Sequence, residues 1–194
     1  SAFGQAMAIT PLQMCTAVAA AVNGGYLVTP HVVDKITDAN GNVIEEIGAN
    51  VRRQVISEST SNVIRQIMEY EVGAGTGGGK YAYVSGYRIG GKSGTSEQLN
   101  MDRRADGDYK KVASFAAVLP ADDPEIIVYV MLDDPNNART DYSSLLAAPV
   151  VGNIISEIAP YLGIAADGED RSQSVGTVPK LVGTEWSSAQ VQLN

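Results

Sequence analysis

A lysine and two hydroxyl residues lie within one short run, Lys92-Ser93-Gly94-Thr95. The preceding residues 87–89 favour a strand, and on a strand Ser93 and Thr95 would share one face, about 7 Å apart. Lys92 would point to the other face, but its long side chain can bring the ammonium group to the edge of the same site. An ammonium group, two hydroxyls and backbone N–H groups at one strand end predict a site for a carboxylate or an oxyanion.

The same stretch also matches a phosphate-binding pattern. Residues 86–93 fit the G-x-x-x-x-G-K-S expression of the P-loop. A P-loop needs a helix that starts at its Lys-Ser end, whereas Gly94 follows Ser93 and the run after it has no apolar repeat of 3.6 residues. A nucleotide-binding protein is therefore the less favoured interpretation. The glycine-rich run 73–80 has Ala74 in place of the first required glycine and is predicted to be a mobile connector.

The chain has one cysteine, Cys15, and one histidine, His31. A Cys/His zinc cluster and an internal disulfide are therefore excluded within these residues. A Ser-His-Asp triad is not expected either, because the single histidine follows Pro30 at the start of a predicted strand, where a surface position is typical. Cys15 falls in an apolar run and is expected to be a small buried side chain. Hydroxyl chemistry at Ser93 or Thr95 would need a lysine as its base, and no metal or cofactor is predicted.

The composition of the chain limits the kinds of partner that it could bind. The 194 residues carry a formal net charge of −8, and 44% of them are hydrophobic. Such a chain is expected to be globular, and its negative charge argues against nucleic acid as the main partner. No apolar run comes near the ~20 residues that cross a bilayer, so no membrane anchor is expected in this chain.

The elements that must position Lys92 are predicted from periodicity and turn residues. Helices are expected at about 11–22, capped by Thr10 and Gln13, at 57–72 and at 143–162. A hairpin of strands 32–37 and 43–46 surrounds Asn40-Gly41. Two further strands are expected at 110–119 and 125–132, and together with the lysine strand they form an antiparallel meander. Apolar content predicts that helices cover both faces of the last strand. It also predicts that the first helix is buried on most sides. The expected fold class is α+β, an antiparallel sheet covered by helices.

Several separated stretches resemble class B penicillin-binding proteins, the peptidoglycan transpeptidases. They occur in the order found in that family, over residues 1 to about 165, and residues 178–194 resemble the opening of a PASTA domain after a linker at 166–177. The stretches are Ser1-Ala2-Phe3-Gly4-Gln5, Ile9-Thr10-Pro11-Leu12-Gln13, Asn23-Gly24-Gly25-Tyr26, Pro30-His31 and, as the third active-site motif, Gly90-Gly91-Lys92-Ser93-Gly94-Thr95-Ser96-Glu97.

The resemblance implies the transpeptidase fold shared with serine β-lactamases, incomplete here at its N-terminus, and a serine acyl-enzyme mechanism acting on acyl-D-Ala-D-Ala stem peptides. β-Lactams would occupy the same site. Lys92 and Thr95 would be catalytic, with the Thr95 N–H as an oxyanion donor. The substrate-binding residues implied are Gly91, Ser93, Gly94, Thr95 and Glu97. Glu97 is unexpected in such a site, because an acidic side chain near a carboxylate-binding site should weaken the binding of anionic ligands.

The nucleophile is the main departure from the family pattern. The chain contains no Ser-x-x-Lys that fits the first motif, so this chain alone is predicted to be inactive, with the N-terminal remainder of the same domain as its partner. The resemblance implies a parent protein anchored in the bacterial cell membrane, active on the extracytoplasmic face in cell division or cell shape. The alternative is a catalytically empty peptidoglycan-binding module; a serine β-lactamase fits the first helix and the tail less well.

Overall fold

The computed structural model describes residues 8–73, 77–98, 100, 102–105, 107–135 and 142–167. The opening of the family resemblance at residues 1–7 and the PASTA-like stretch at 178–194 lie outside them. The elements in chain order are α1 (Pro11–Val22), β1 (Tyr26–Thr29), β2 (Lys35–Thr37), β3 (Val43–Glu46), β4 (Asn50–Gln54), α2 (Glu58–Gly73), a 3₁₀ turn (Gly78–Ala82), β5 (Gly90–Glu97), β6 (Lys111–Leu119), β7 (Ile126–Asp133) and α3 (Ser143–Tyr161).

The central sheet is the meander that the sequence predicts. Its strand order is β5-β6-β7, and both pairings are antiparallel. In the register, Lys92 lies opposite Ala116, which lies opposite Tyr129. β6 is the central strand and the most buried of the three. β5, which carries the lysine, is an edge strand of this sheet within the described residues.

The main core lies between one face of this sheet and α3. Phe115 and Leu119 of β6 pack there with Val151 and Ile155 of α3, and all four side chains are at most 1% exposed. A smaller cluster on the opposite face joins α1 and α2 to the sheet through Val22, Met68 and Val118. The predicted α+β architecture, an antiparallel sheet covered by helices, is confirmed.

Two predictions about burial were wrong for the described residues. Val128 is the one buried residue of β7, and Met131 is 44% exposed. α3 covers one face of β7, whereas the cluster of α1 and α2 reaches the other face only near Ile127. α1 contacts β1, α2 and β7, but Ala20 and Val22 are its only buried residues within the described part of the chain.

The segment between α1 and α2 contains two pairs of strands. β2 and β3 form the predicted hairpin, but β2 begins at Lys35, three residues later than predicted. The Asp38 carboxylate accepts hydrogen bonds from the backbone N–H groups of Asn40 and Asn42. Hydrogen bonds, chiefly from the Asn42 side chain, lower the pKa of Asp38. The pair of β1 with β4 was not predicted from the sequence.

The start of α1 follows the predicted chemistry. Thr10 and Gln13 form a reciprocal capping box at the start of α1. The 3₁₀ turn Gly78–Ala82 occupies the end of the predicted mobile connector, and Gly79 within it is buried. α3 runs through Pro149 without interruption.

By length and composition alone α3 could cross a membrane, although no apolar run of that length was expected from the sequence. Its residues Ala147, Ala148, Val151, Ile155 and Ala159 are fully buried within the protein. We therefore describe α3 as the core helix of this fold.

Candidate active site

The lysine of β5 reaches the hydroxyl of its neighbour around the edge of the strand. Lys92 Nζ donates a hydrogen bond to the Ser93 carbonyl oxygen at 2.9 Å and lies 3.4 Å from Ser93 Oγ. The two side chains start on opposite faces, since Ser93 pairs with Phe115 and Lys92 with Ala116. Lys92 is exposed and Ser93 half-buried. The structure thus brings an ammonium group and a hydroxyl together at one edge of the sheet.

Gly91 sets how closely β5 lies on the core. A Cβ atom at Gly91 would lie 2.6 Å from Cε1 of Phe115 and 3.0 Å from Cγ2 of Val72. Both neighbours belong to the main buried cluster. A residue without a side chain is therefore required directly before Lys92, and this close packing fixes the strand that carries the lysine.

The ion pair of Arg88 anchors the entry to β5. Its Nε and one terminal nitrogen each lie 2.7 Å from a carboxylate oxygen of Glu69 on α2, and Asp122 also binds the guanidinium group. The hydrogen bonds to Glu69 raise the pKa of Arg88. The backbone N–H of Ala121 also donates to the carbonyl of Arg88, at 2.8 Å. Two separate elements thus hold the chain immediately before the lysine strand.

A cavity of about 1070 Å³ opens beside β5. The N-terminal end of α1 forms one wall, β5 forms another, and the uncovered face of β6 and β7 forms the floor. It is the place where a ligand could contact Lys92. The lining residues are Ala8, Ile9, Thr10, Gln13, Met14, Lys92, Ser93, Gly94, Thr95, Ser96, Glu97, Gln98, Asn100, Val112, Ser114, Tyr129, Met131 and Asp133.

Five of the six predicted site residues line this cavity: Lys92, Ser93, Gly94, Thr95 and Glu97. The sixth, Gly91, is buried against the core instead. Glu97 and Asp133 bring negative charge to the end of the cavity away from Lys92. Asp133 accepts a hydrogen bond from Gln98, and Asp134 pairs with Arg104, as residues of a polar turn do.

Thr95 is held by a residue that the sequence did not indicate. Its Oγ1 donates to Ser143 Oγ at 2.9 Å and accepts from the Ser143 N–H at 3.3 Å. Ser143 is the first residue of α3 and is 3% exposed. No local pattern joins two residues that lie 48 positions apart. The one available signal is a serine at a predicted helix start, which by itself indicates only a cap.

The geometry rejects the P-loop. β5 stays extended and paired with β6 from Gly90 to Glu97. The described residues that follow, between Gln98 and Tyr109, contain no helix. A phosphate would find no helix N-terminus at the Lys-Ser step.

Comparisons with known proteins agree on one family. A family model described as "Penicillin binding protein transpeptidase domain" matches residues 1–156. The chain is 39% identical over 165 residues to stage V sporulation protein D of Bacillus subtilis, covering 84% of this chain and 25% of that protein. It is 34% identical over 173 residues to a probable peptidoglycan D,D-transpeptidase FtsI of Caulobacter vibrioides, covering 84% of this chain and 28% of that protein.

A solved structure supports the same assignment. Penicillin binding protein 3 of Mycobacterium tuberculosis, complexed with ampicillin, matches with a TM-score of 0.66 and 27% identity, covering 86% of this chain and 38% of that chain. The present chain thus spans between a quarter and two fifths of the proteins that it matches here.

Proposed function

The chain belongs to the penicillin-binding protein transpeptidase family, and from that membership we propose that its parent protein, the longer protein carrying these residues, is a peptidoglycan D,D-transpeptidase. The observation that carries the proposal is the arrangement on β5. The Lys92 ammonium lies 3.4 Å from the Ser93 hydroxyl at the wall of an open cavity. β-Lactams would bind at this cavity as mimics of the substrate.

The proposed reaction is acyl transfer through a serine. A serine of the parent protein attacks the carbonyl carbon between the two D-Ala residues of a stem peptide, the amide bond breaks, and D-Ala leaves with a proton. An amine of a neighbouring stem then attacks the acyl carbon, a new amide bond forms, the ester bond breaks, and a proton of the amine returns to the serine oxygen. The 194 residues contain no Ser-x-x-Lys to supply the nucleophile, so it would come from the remainder of the parent protein.

The residues of β5 would supply positive charge and hydrogen-bond donors for this reaction. The Lys92 ammonium would hold positive potential at the cavity and assist proton transfer. The Ser93 and Thr95 hydroxyls would donate to the terminal carboxylate of the substrate, and the Thr95 N–H would stabilise the oxyanion. Gly94 would allow the substrate backbone to approach β5, whereas Gly91 is buried and would serve the site only by letting β5 lie close to the core.

The uncovered surface of β7 supports a partner within the same domain. Met131 is 44% exposed, and Tyr129 lies in the floor of the cavity. We propose that the N-terminal remainder of the transpeptidase domain borders this face of the cavity. The parent protein would be anchored in the bacterial cell membrane with the site on the extracytoplasmic face. The division into residues 1–165, a linker at 166–177 and a PASTA-like start at 178–194 stays a prediction.

The test of the proposed function is covalent labelling of the parent protein. We expect a fluorescent penicillin to acylate it with a stoichiometry of about one, on a serine of a Ser-x-x-Lys sequence, as nucleophilic catalysis requires. Intact-mass spectrometry and peptide mapping would locate the adduct. A parent protein that binds muropeptides but forms no adduct would favour the catalytically empty binding module.

The isolated 194-residue chain is expected to form no adduct with the same penicillin. The reason is chemical: Lys92 and Thr95 can polarise a carbonyl group, but the chain contains no Ser-x-x-Lys serine to attack it. Intact-mass spectrometry of the chain beside the parent protein would check this. A stoichiometric adduct on the isolated chain would contradict the assignment of the nucleophile.

Glu97 tests the electrostatics of the site. It lines the cavity with Lys92, so its negative charge should repel an anionic ligand. We expect Glu97→Gln in the parent protein to raise the second-order rate constant of acylation by an anionic penicillin about twofold, since charges near a surface interact weakly. The gain should shrink in high salt. A gain that salt leaves unaltered, or no gain, would show that Glu97 does not act through charge.

A further inference from the structure

A buried serine at the start of α3 holds the hydroxyl that the proposed carboxylate site needs. Thr95 Oγ1 accepts the Ser143 N–H at 3.3 Å. Tyr142, in the N-cap position of α3, makes no side-chain hydrogen bond to the helix. Because the first N–H groups of a helix have no partner inside it, Thr95 of β5 caps α3 in place of Tyr142. This bond ties the substrate strand to the helix on the far side of the sheet.

The second bond decides where the proton of Thr95 points. A hydroxyl carries a single proton and can donate only one full hydrogen bond at a time. Thr95 Oγ1 donates to Ser143 Oγ at 2.9 Å, so this proton is directed away from the cavity. A ligand carboxylate can receive it only when the bond to Ser143 breaks. Ser143 is 3% exposed, so water does not readily replace the lost partner.

We propose that Ser143 is a positioning residue that lowers the affinity of the site for carboxylate ligands, by competing with them for the proton of Thr95. The proposal rests on the function proposed above, which makes Thr95 a carboxylate-binding residue. Without the Ser143 hydroxyl, the backbone N–H of residue 143 still holds Thr95 Oγ1 in place. The proton is then free to turn to the ligand. The effect should favour charged ligands, because a carboxylate accepts a stronger hydrogen bond than a neutral ester does.

The test measures non-covalent binding and acylation separately, in the parent protein and its Ser143→Ala variant. The two ligands are a penicillin and the methyl ester of its carboxylate, followed by stopped-flow kinetics. We expect Ser143→Ala to lower the Kd of the free acid about fivefold, the size of one ordinary hydrogen bond. The Kd of the ester and the acylation rate constant of the acid should stay within about a factor of two.

Three further variants separate positioning from general structural effects. Ser143→Thr keeps a hydroxyl and should keep the original Kd. Ser143→Cys keeps the shape of the side chain with a slightly larger atom and offers only a weak acceptor. It should repeat the gain, and it serves as the test if the alanine variant does not fold. Ser144→Ala, at the next position of the same helix, should change neither Kd.

The outcomes distinguish this proposal from the proposed function. If the unaltered parent protein is not acylated by the free acid, the transpeptidase function fails, and the role of Ser143 fails with it. If it is acylated, but the Ser143 variants show no gain, a loss, or an equal gain for acid and ester, only the role of Ser143 is overturned.

Discussion

Replacing Lys92 by alanine in the parent protein is expected to slow acylation by penicillin about 10²–10⁴-fold, the usual contribution of a positioned proton-transfer group. Lys92 Nζ lies 3.4 Å from the Ser93 hydroxyl, at the wall of the cavity. No other lysine or arginine lines that cavity, so no neighbour within the described residues could replace its charge. The measurement is the acylation rate constant at saturating penicillin.

A matched control separates this local role from the loss of one positive charge. Lys35 lies on the exposed hairpin strand β2, away from the cavity. Lys35→Ala changes the net charge of the chain by the same amount and should leave the rate constant unchanged. A Lys92→Ala variant that acylates within about threefold of the unaltered protein would remove Lys92 from the reaction.

The parts of the site that could be predicted from the sequence are those encoded locally. The strand character of the lysine segment follows from residues within it, and the cap at Thr10 follows from a four-residue pattern. Lys92 Nζ lies close to the Ser93 hydroxyl because the two residues are adjacent in the chain and the lysine side chain is long. In each case the physical cause lies within a few positions of the effect.

The parts that could not be predicted depend on tertiary partners. β4 has no alternation of polar and apolar residues, since Arg52 and Arg53 are adjacent in it and all its residues are exposed. Its pairing with β1 therefore left no periodic signal. The bond between Thr95 and Ser143 joins positions 48 apart. The burial of α1 and β7 was overestimated because it was judged from apolar content. Apolar content indicates that a segment tends to be buried, whereas tertiary packing determines which of its faces another element covers.

The close packing under the lysine strand leads to the largest expected effect on stability. Gly91→Val in the parent protein should destabilise the transpeptidase domain by at least about 3 kcal/mol, at the upper end of the range for overpacked cores. Even the first added atom would lie 2.6 Å from the ring of Phe115. That ring is fully buried and belongs to the same cluster as Val72. Neither neighbour can move without displacing the core between β6 and α3.

Gly94→Val is the matched control, three positions along the same strand. A Cβ atom at Gly94 meets only Ser114 Oγ, at 2.9 Å, and that hydroxyl can rotate away. Thermal unfolding of the parent proteins should show a lower midpoint for Gly91→Val, by several degrees, since 1 kcal/mol shifts the midpoint of a 150–250-residue domain by about 2–4 °C and that of a larger domain by less. Gly94→Val should stay close to the original midpoint while weakening penicillin binding, because Gly94 lines the cavity. Equal midpoints for the two variants would mean that β5 does not lie on the core as described, and the placement of Lys92 would lose its structural support.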